Sequence, residues 1–412
     1  MITSARSYLI VTASYWGFTL VDGALRMLVL FHFFRLGYTP FTLAFLFLLY
    51  EAAGIAANLA GGYFASRFGI PRMLAIGQTL QIAGLIMLSM LSPGWGAVAS
   101  VAWVVLCQGI AGVAKDLTKT ASKSAIKATS AEGSGQLFRW VAWFTGSKNA
   151  MKGIGFFLGG LLLDLVGFQN ALWLMAALLA VIFVAGLLLL PRQLGKAKSS
   201  KTMKELFGKT RGVNLLAAAR IFMFGARDVW FVVGLPVCLY AYGWKFLQVG
   251  AFLAAWTIAY GGIQAIAPSL VSRSEDGLSR EVPASRMWAA ILAAVPIMLA
   301  VIMNVTDIAR PDLVLVIGLA LFGVPFAVNS SLHSYLILAY AGSEKAAEDV
   351  GFYYAANAAG RLLGITLSGV LYQIAGITGC LIGSAVMLTT CWLITFLLPT
   401  TAPSLTVRQQ AA

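Results

Sequence analysis

Lys115, Lys119, Lys123 and Lys127 stand four residues apart in a stretch, Gln108 to Lys127, that otherwise reads as a membrane helix. Four-residue steps put these ammonium groups on one helical face, where like charges repel. A charge at the centre of a bilayer costs between about 2.5 and 17 kcal/mol, so such residues face a polar cavity or a partner. A stripe of cations is useful if an anion passes along it. The same four-residue step recurs at Lys148 and Lys152, and Arg220 and Arg227 are seven apart, again on one face. With Arg26 and Arg361, and leaving out Lys127 at the end of its run, nine cations in apolar stretches stand against the four acids Asp22, Glu51, Asp116 and Asp228. That excess implies a water-filled cavity and an anionic ligand.

The residue types divide the work. Arginine offers a planar fork matched to tetrahedral oxyanions, and lysine a compact point charge. Lys115, Lys119, Lys148, Lys152, Arg220, Arg227 and Arg361 are therefore the candidate substrate contacts. Asp22 and Arg26 are spaced for an intrahelical salt bridge and read as a structural or gating pair. Asp116 and Asp228 adjoin Lys115 and Arg227, whereas Glu51 has no cation beside it in sequence, which makes it the best candidate proton carrier. Lys127, and with it Lys123, reads as reaching lipid headgroups by snorkelling. Asn329, Ser330, Ser331, His333 and Ser334 form a polar run suited to hydroxyl groups. Cys107, Cys238, Cys380 and Cys391 stand singly, and His32 and His333 are isolated, so neither a disulfide frame nor a metal site is expected.

The elements that carry these residues are membrane spans. The chain has 412 residues, 60% hydrophobic and 11% charged, a composition of polytopic membrane proteins. About twelve apolar runs are long enough to cross about 30 Å of hydrocarbon: 8–35, 41–65, 73–92, 97–122, 137–163, 169–190, 213–241, 246–271, 287–305, 313–340, 350–373 and 378–398. The first is too long, and too polar at Asp22 and Arg26, for a cleavable signal. The net charge of +14 lies in spans and loops with no stacking aromatics on a soluble surface, so no nucleic acid partner is expected. Arg192, Lys196, Lys198, Lys201, Lys204, Lys209 and Arg211 crowd the segment after the sixth span against Glu205 alone. Arg67 and Arg72 follow the second span, and Arg273, Arg280 and Arg286 the eighth. Arg35, Lys245 and Arg310 are nearly all that the other side carries. The positive-inside rule then puts both termini in the cytoplasm.

The basic segment 191–211 halves the chain, separating six-helix bundles expected at 1–190 and 212–412. A shift of 206 residues sets Asp228 on Asp22, Gly243 on Gly37 and Ser272-Arg273 on Ser66-Arg67. A shift of 209 sets Arg361 on Lys152, Gly364 on Gly155, Gly369 on Gly160 and Gly376 on Gly167. Two parallel six-helix halves are the plan of major facilitator transporters. Gly62 to Arg72 resembles that superfamily's cytoplasmic loop signature, with Ser66 where an acid is usual. Gly153-Ile-Gly155-Phe-Phe-Leu-Gly159-Gly160 resembles its glycine-rich antiporter motif without the proline. The expected fold is an all-α polytopic membrane protein of twelve transmembrane helices in two six-helix halves.

Four blocks are more specific. Tyr8 to Trp16 with Asp22-Gly-Ala-Leu-Arg26, Gly112-Val-Ala-Lys115-Asp116-Leu-Thr-Lys119, Gly146-Ser-Lys148-Asn-Ala-Met-Lys152-Gly, and Phe224-Gly-Ala-Arg227-Asp228-Val-Trp-Phe231 resemble the ArsJ-type organoarsenical efflux permeases. The resemblance implies export of 1-arseno-3-phosphoglycerate, which glyceraldehyde-3-phosphate dehydrogenase, the functional partner, forms from arsenate and glyceraldehyde 3-phosphate. Outside, the ester would fall apart to arsenate and 3-phosphoglycerate. It further implies a bacterial inner membrane location, arsenate resistance, no cofactor and a monomer. Two oxyanions and a hydroxyl on that substrate fit the basic residues, and pentavalent arsenic needs no thiol. Buried charge alone leaves open another small organic phosphate or polyanion, or an anion channel. No nucleophile elbow, metal motif or phosphate loop suggests an enzyme.

Overall fold

A computed structural model describes residues 2–129, 136–190, 209–271, 274, 278–305, 308–340 and 346–400. The basic run from Arg192 to Lys204 and Arg273 lie outside the described residues, as do the side chains of Ser66, Arg67, Lys123 and Lys127. Among the described residues every regular element is helical: α1 (Ile2–Arg35), α2 (Pro40–Phe45), α3 (Leu48–Phe68), α4 (Ile70–Ser89), α5 (Ala97–Thr129), α6 (Gln136–Leu189), α7 (Arg211–Phe231), α8 (Gly234–Ala241), α9 (Phe246–Ile266), α10 (Glu281–Val305), α11 (Pro311–Tyr340) and α12 (Ala346–Thr395).

Ten stretches among the described residues are long and apolar enough to cross a membrane, and two of them, 147–189 and 352–395, are double length. Each double stretch is broken at a glycine: Gly167 at φ 77°, ψ 177°, and Gly376 at φ 59°, ψ −153°. Those values lie in backbone territory that only glycine enters without strain. The long stretches therefore hold two spans apiece, which brings the number to the twelve expected. Two expected spans are interrupted. The second is split into α2 and α3, with Pro40 at the first helical position and Thr39 capping it through Thr42 N–H at 3.3 Å. The seventh is split into α7 and α8 because Pro236 has no N–H for the helical ladder and its ring crowds the carbonyl of Val232. Just before it, Gly234 N–H donates to Ser368 Oγ at 3.0 Å.

The chain groups into two compact units, residues 1–203 with 243–261, and residues 204–242 with 262–412. Each has the same internal joint. In the first unit, α1 packs on the first half of α6 where a Cβ on Gly155 would strike Leu20 O and Gly23 Cα, and one on Gly159 would strike Ala24 O. In the second, α7 packs on the first half of α12 where a Cβ on Gly364 would strike Gly225 O, and one on Gly360 would strike Ile221 O. Small residues let membrane helices approach to backbone contact. Gly155 and Gly364 are a pair matched by the 209-residue shift. The matched turn glycines behave alike too: Gly37 and Gly243 have φ of 84° and 89°, and Gly167 and Gly376 are both positive. The repeat inferred from weak sequence matches thus shows in backbone conformation and in close helix contacts.

Substituting Ala at Gly155 or Gly364 should lower the thermal midpoint of the purified protein by several degrees, because backbone must move to admit the methyl group. Gly262→Ala, where a Cβ meets nothing within 4 Å, should leave the midpoint unchanged. Equal midpoints for all three, read by fluorescence-detected gel filtration after heating, would show that the close contacts are not needed.

Candidate functional site

In the first unit the buried charges form one connected network across α1, α3 and α5. Arg26 Nη2 donates to Glu51 Oε1 at 2.9 Å. The other Glu51 oxygen lies 3.6 Å from Lys115 Nζ, which is also 3.6 Å from Asp116 Oδ2. Lys119 Nζ donates to Asp116 Oδ1 and to Asn58 Oδ1, both at 2.9 Å. Asp22 accepts from the Tyr50 hydroxyl at 2.6 Å. The Tyr50 ring lies 5.2 Å from the Arg26 guanidinium and 3.9 Å from Lys115 Nζ, contacts that favour a cation over the ring face. Close approach of α5 to α3 is possible because Gly112 lies against the backbone of Tyr50 and Gly54 against the carboxylate of Asp116.

This geometry corrects three expectations. Asp22 and Arg26 do not bridge each other; Tyr50 and Glu51 of α3 take them separately. Glu51 is not without a cation, since Arg26 and Lys115 flank it from two helices. Lys115 and Lys119, counted in the excess of cations over acids, are in fact paired with Glu51 and Asp116. Among the described side chains the network holds three cations and three acids, a formally balanced set. Lys148 and Lys152 are half-buried on the first half of α6. Lys152 Nζ lies 5.5 Å from the Phe156 ring, and Ser147 beside Lys148 accepts from Trp16 Nε1 at 2.9 Å.

The second unit is arranged differently. Arg220, Phe224 and Arg227 are four and three residues apart on α7, and both guanidiniums lie against the one Phe224 ring, at 4.0 and 5.1 Å. Arg227 is matched by Asp228, donating from Nε at 2.7 Å, and lies 5.5 Å from the Phe326 ring. Arg220 is only 4% exposed. It donates from Nη1 to Ser330 O at 3.1 Å and lies 4.8 Å from the Tyr353 ring. Among the described residues no carboxylate pairs with it, and its Nε has no acceptor. On α11 beside Ser330, the side-chain polar atoms of Asn329 and His333 are fully buried and lack hydrogen-bond partners. Buried polar groups are normally satisfied, and an unmatched buried charge is costly. The Arg220 guanidinium is thus anchored on the turn of α11 that also carries the unpaired Asn329 amide and His333 imidazole, with no carboxylate paired to it among the described residues. Arg361 is half-buried on α12.

Tyr50, Asn58, Phe224, Phe326 and Tyr353 were not candidates from sequence. Only Phe224 carried a usable signal, its helical spacing between two arginines; the others depend on which helices meet.

If the first unit's network acts as one body, Glu51→Gln alone should cost about 3 kcal/mol or more of stability, by leaving buried cations short of an acid. Adding Lys115→Gln should recover part of that loss, and a thermal-unfolding double-mutant cycle measures the recovery. Additive losses would mean that the two residues are not coupled.

Comparison with known proteins bears on the whole chain. The model of the Major Facilitator Superfamily matches residues 7–306. The solved structure of the nucleoside transporter NupG is similar in fold, with a TM-score of 0.70 at 15% identity, over 96% of this chain and 98% of that one. No curated protein matches the chain. With twelve helical spans, a repeated helix joint in each unit and a family match over most of its length, the chain belongs to the major facilitator superfamily.

Proposed function

We propose that this transporter exports a phosphorylated organoarsenical, 1-arseno-3-phosphoglycerate, from a bacterial cytoplasm across the inner membrane, and so confers arsenate resistance. Glyceraldehyde-3-phosphate dehydrogenase supplies the ester, and both termini of the permease lie in the cytoplasm. The observation that carries this reading is the buried guanidinium of Arg220, which no described carboxylate neutralises, beside the unsatisfied Asn329 and His333. An oxyanion would complete that cluster, accepting from the arginine fork and from the neighbouring donors. Arg227 joins it as a second, partly neutralised cation, with Arg361 in the same unit; in the first unit Lys148 and Lys152 are separate candidate contacts for an anionic substrate. Lys115 and Lys119 reach substrate only when their pairs with Glu51 and Asp116 open. On this reading Asp22, Arg26, Glu51, Asp116 and Asp228 gate or couple transport and do not grip the ligand. The resemblance of the four sequence blocks to the organoarsenical permeases supports arsenic over other cargo. Another small organic phosphate is the second reading, favoured by the same cluster because phosphate and arsenate present equivalent tetrahedral oxygens.

Everted vesicles containing the permease, supplied with the dehydrogenase, its substrates and arsenate, should accumulate arsenic. Arg220→Gln should abolish uptake with protein still in the membrane, and Arg220→Lys should lower it about tenfold or more by losing the paired N–H geometry. Full uptake by both variants would refute the assignment of Arg220. Arsenic uptake absent from wild type, with a phosphate ester taken up instead, would select the second reading.

A further inference from the structure

The start of α4 and the end of α6 carry a feature apart from the charged clusters described above. Pro71, Leu74 and Gln78 on α4, and Phe183, Gly186 and Leu190 along and just beyond α6, share the same three- and seven-residue spacing. Each set is one helical face, and the two faces line a groove of about 510 Å³ within the first unit. Its wall is open at Gly186, where a Cβ would meet only the Ser14 hydroxyl, at 3.8 Å. Leu187 and Leu188, 57% and 78% exposed, continue it as apolar surface.

Three polar features lie along this groove. Arg72 is exposed and has no carboxylate partner among the described residues. The first turn of α4 begins at Gly69 without a side-chain cap, so it presents unsatisfied N–H groups and the positive end of the helix dipole. Gln78 is 3% exposed, and its Nε2 has no partner. A buried amide N–H next to hydrocarbon needs an acceptor. Gln78 is six residues past Arg72, about 9 Å further along the helix axis. Cation first, amide donor deeper and apolar wall alongside is the order of groups in a glycerophospholipid, whose phosphate lies at the water, ester carbonyls below it and chains beyond.

We propose that this groove is a specific glycerophospholipid site. The phosphate sits on Arg72 and the uncapped turn of α4, an ester carbonyl accepts from Gln78 Nε2, and an acyl chain lies past Phe183 and Gly186. A free phosphate ion would satisfy Arg72 and leave the amide and the apolar wall unused.

The test is native mass spectrometry of the full-length protein, released from bilayers containing phosphatidylglycerol into mild detergent. Wild type should retain one phosphatidylglycerol molecule at activation energies that strip the rest. Gly186→Leu adds a side chain to the groove at a position whose Cβ meets only Ser14 Oγ, at 3.8 Å, Arg72→Gln removes the charge and Gln78→Leu removes the donor. Each should hold that lipid about tenfold more weakly, whereas Gly262→Ala should hold it as wild type does. Gly186→Leu has the least to disturb in the fold, so it decides the matter if another variant is not recovered folded. Undiminished retention in Gly186→Leu would overturn the proposal. So would thermal protection by millimolar inorganic phosphate equal to that given by phosphatidylglycerol, which would mark an anion site only.

Discussion

Burying charge in a membrane-spanning helix is the constraint around which both units are organised. An isolated cation among apolar helices is expensive, and proteins meet that cost with partners, rings or water. The first unit uses partners: Glu51 joins Arg26 on one helix to Lys115 on another, and Asp116 holds Lys119. In the second, Arg220 and Arg227 are met by rings and by Asp228, with Phe224 against both guanidiniums and Asp228 on Arg227. Helix positions follow from these needs. Gly112 and Gly54 exist where α5 must come close enough for its lysines to meet the acid of α3.

Duplication explains why the frames match and divergence explains why the contents do not. The glycine joints between α1 and α6 and between α7 and α12 are backbone contacts, with no room for a side chain, so they tolerate little change. The polar residues above those joints are free to differ as long as each charge is accommodated. One unit has consequently become a balanced ion network and the other a cationic cluster lined with aromatic rings. Even the first helix of each half differs: α1 runs unbroken through 34 residues, whereas Pro236 divides its counterpart into α7 and α8.

Much of the frame was legible in the sequence. Apolar length set the spans, and the offset matches paired Gly37 with Gly243 and Gly167 with Gly376, although their shared positive φ was not foreseen. Partnerships between helices were not legible. Asp22 and Arg26 looked like a pair because spacing along one helix is visible in sequence. The lateral neighbours that take them, Tyr50 and Glu51, are set by how α3 packs. Glu51 seemed isolated for the same reason. Conversely, the charge excess was read as a property of the whole chain, yet it is uneven: among the described residues Arg220 has no carboxylate partner, while Lys115 and Lys119 do. Charge counting gives a total, and only packing gives its distribution.

That uneven distribution has an electrical consequence. A neutral cluster of three cations and three acids does no net work against a transmembrane voltage however far it shifts along the membrane normal. A lone cation does, at about 2.3 kcal/mol per 100 mV for a full crossing. Displacement of the second unit's Arg220 would carry charge through the field, and the anion proposed to bind there would offset it. The balanced network thus links three helices without itself adding a voltage-sensitive charge.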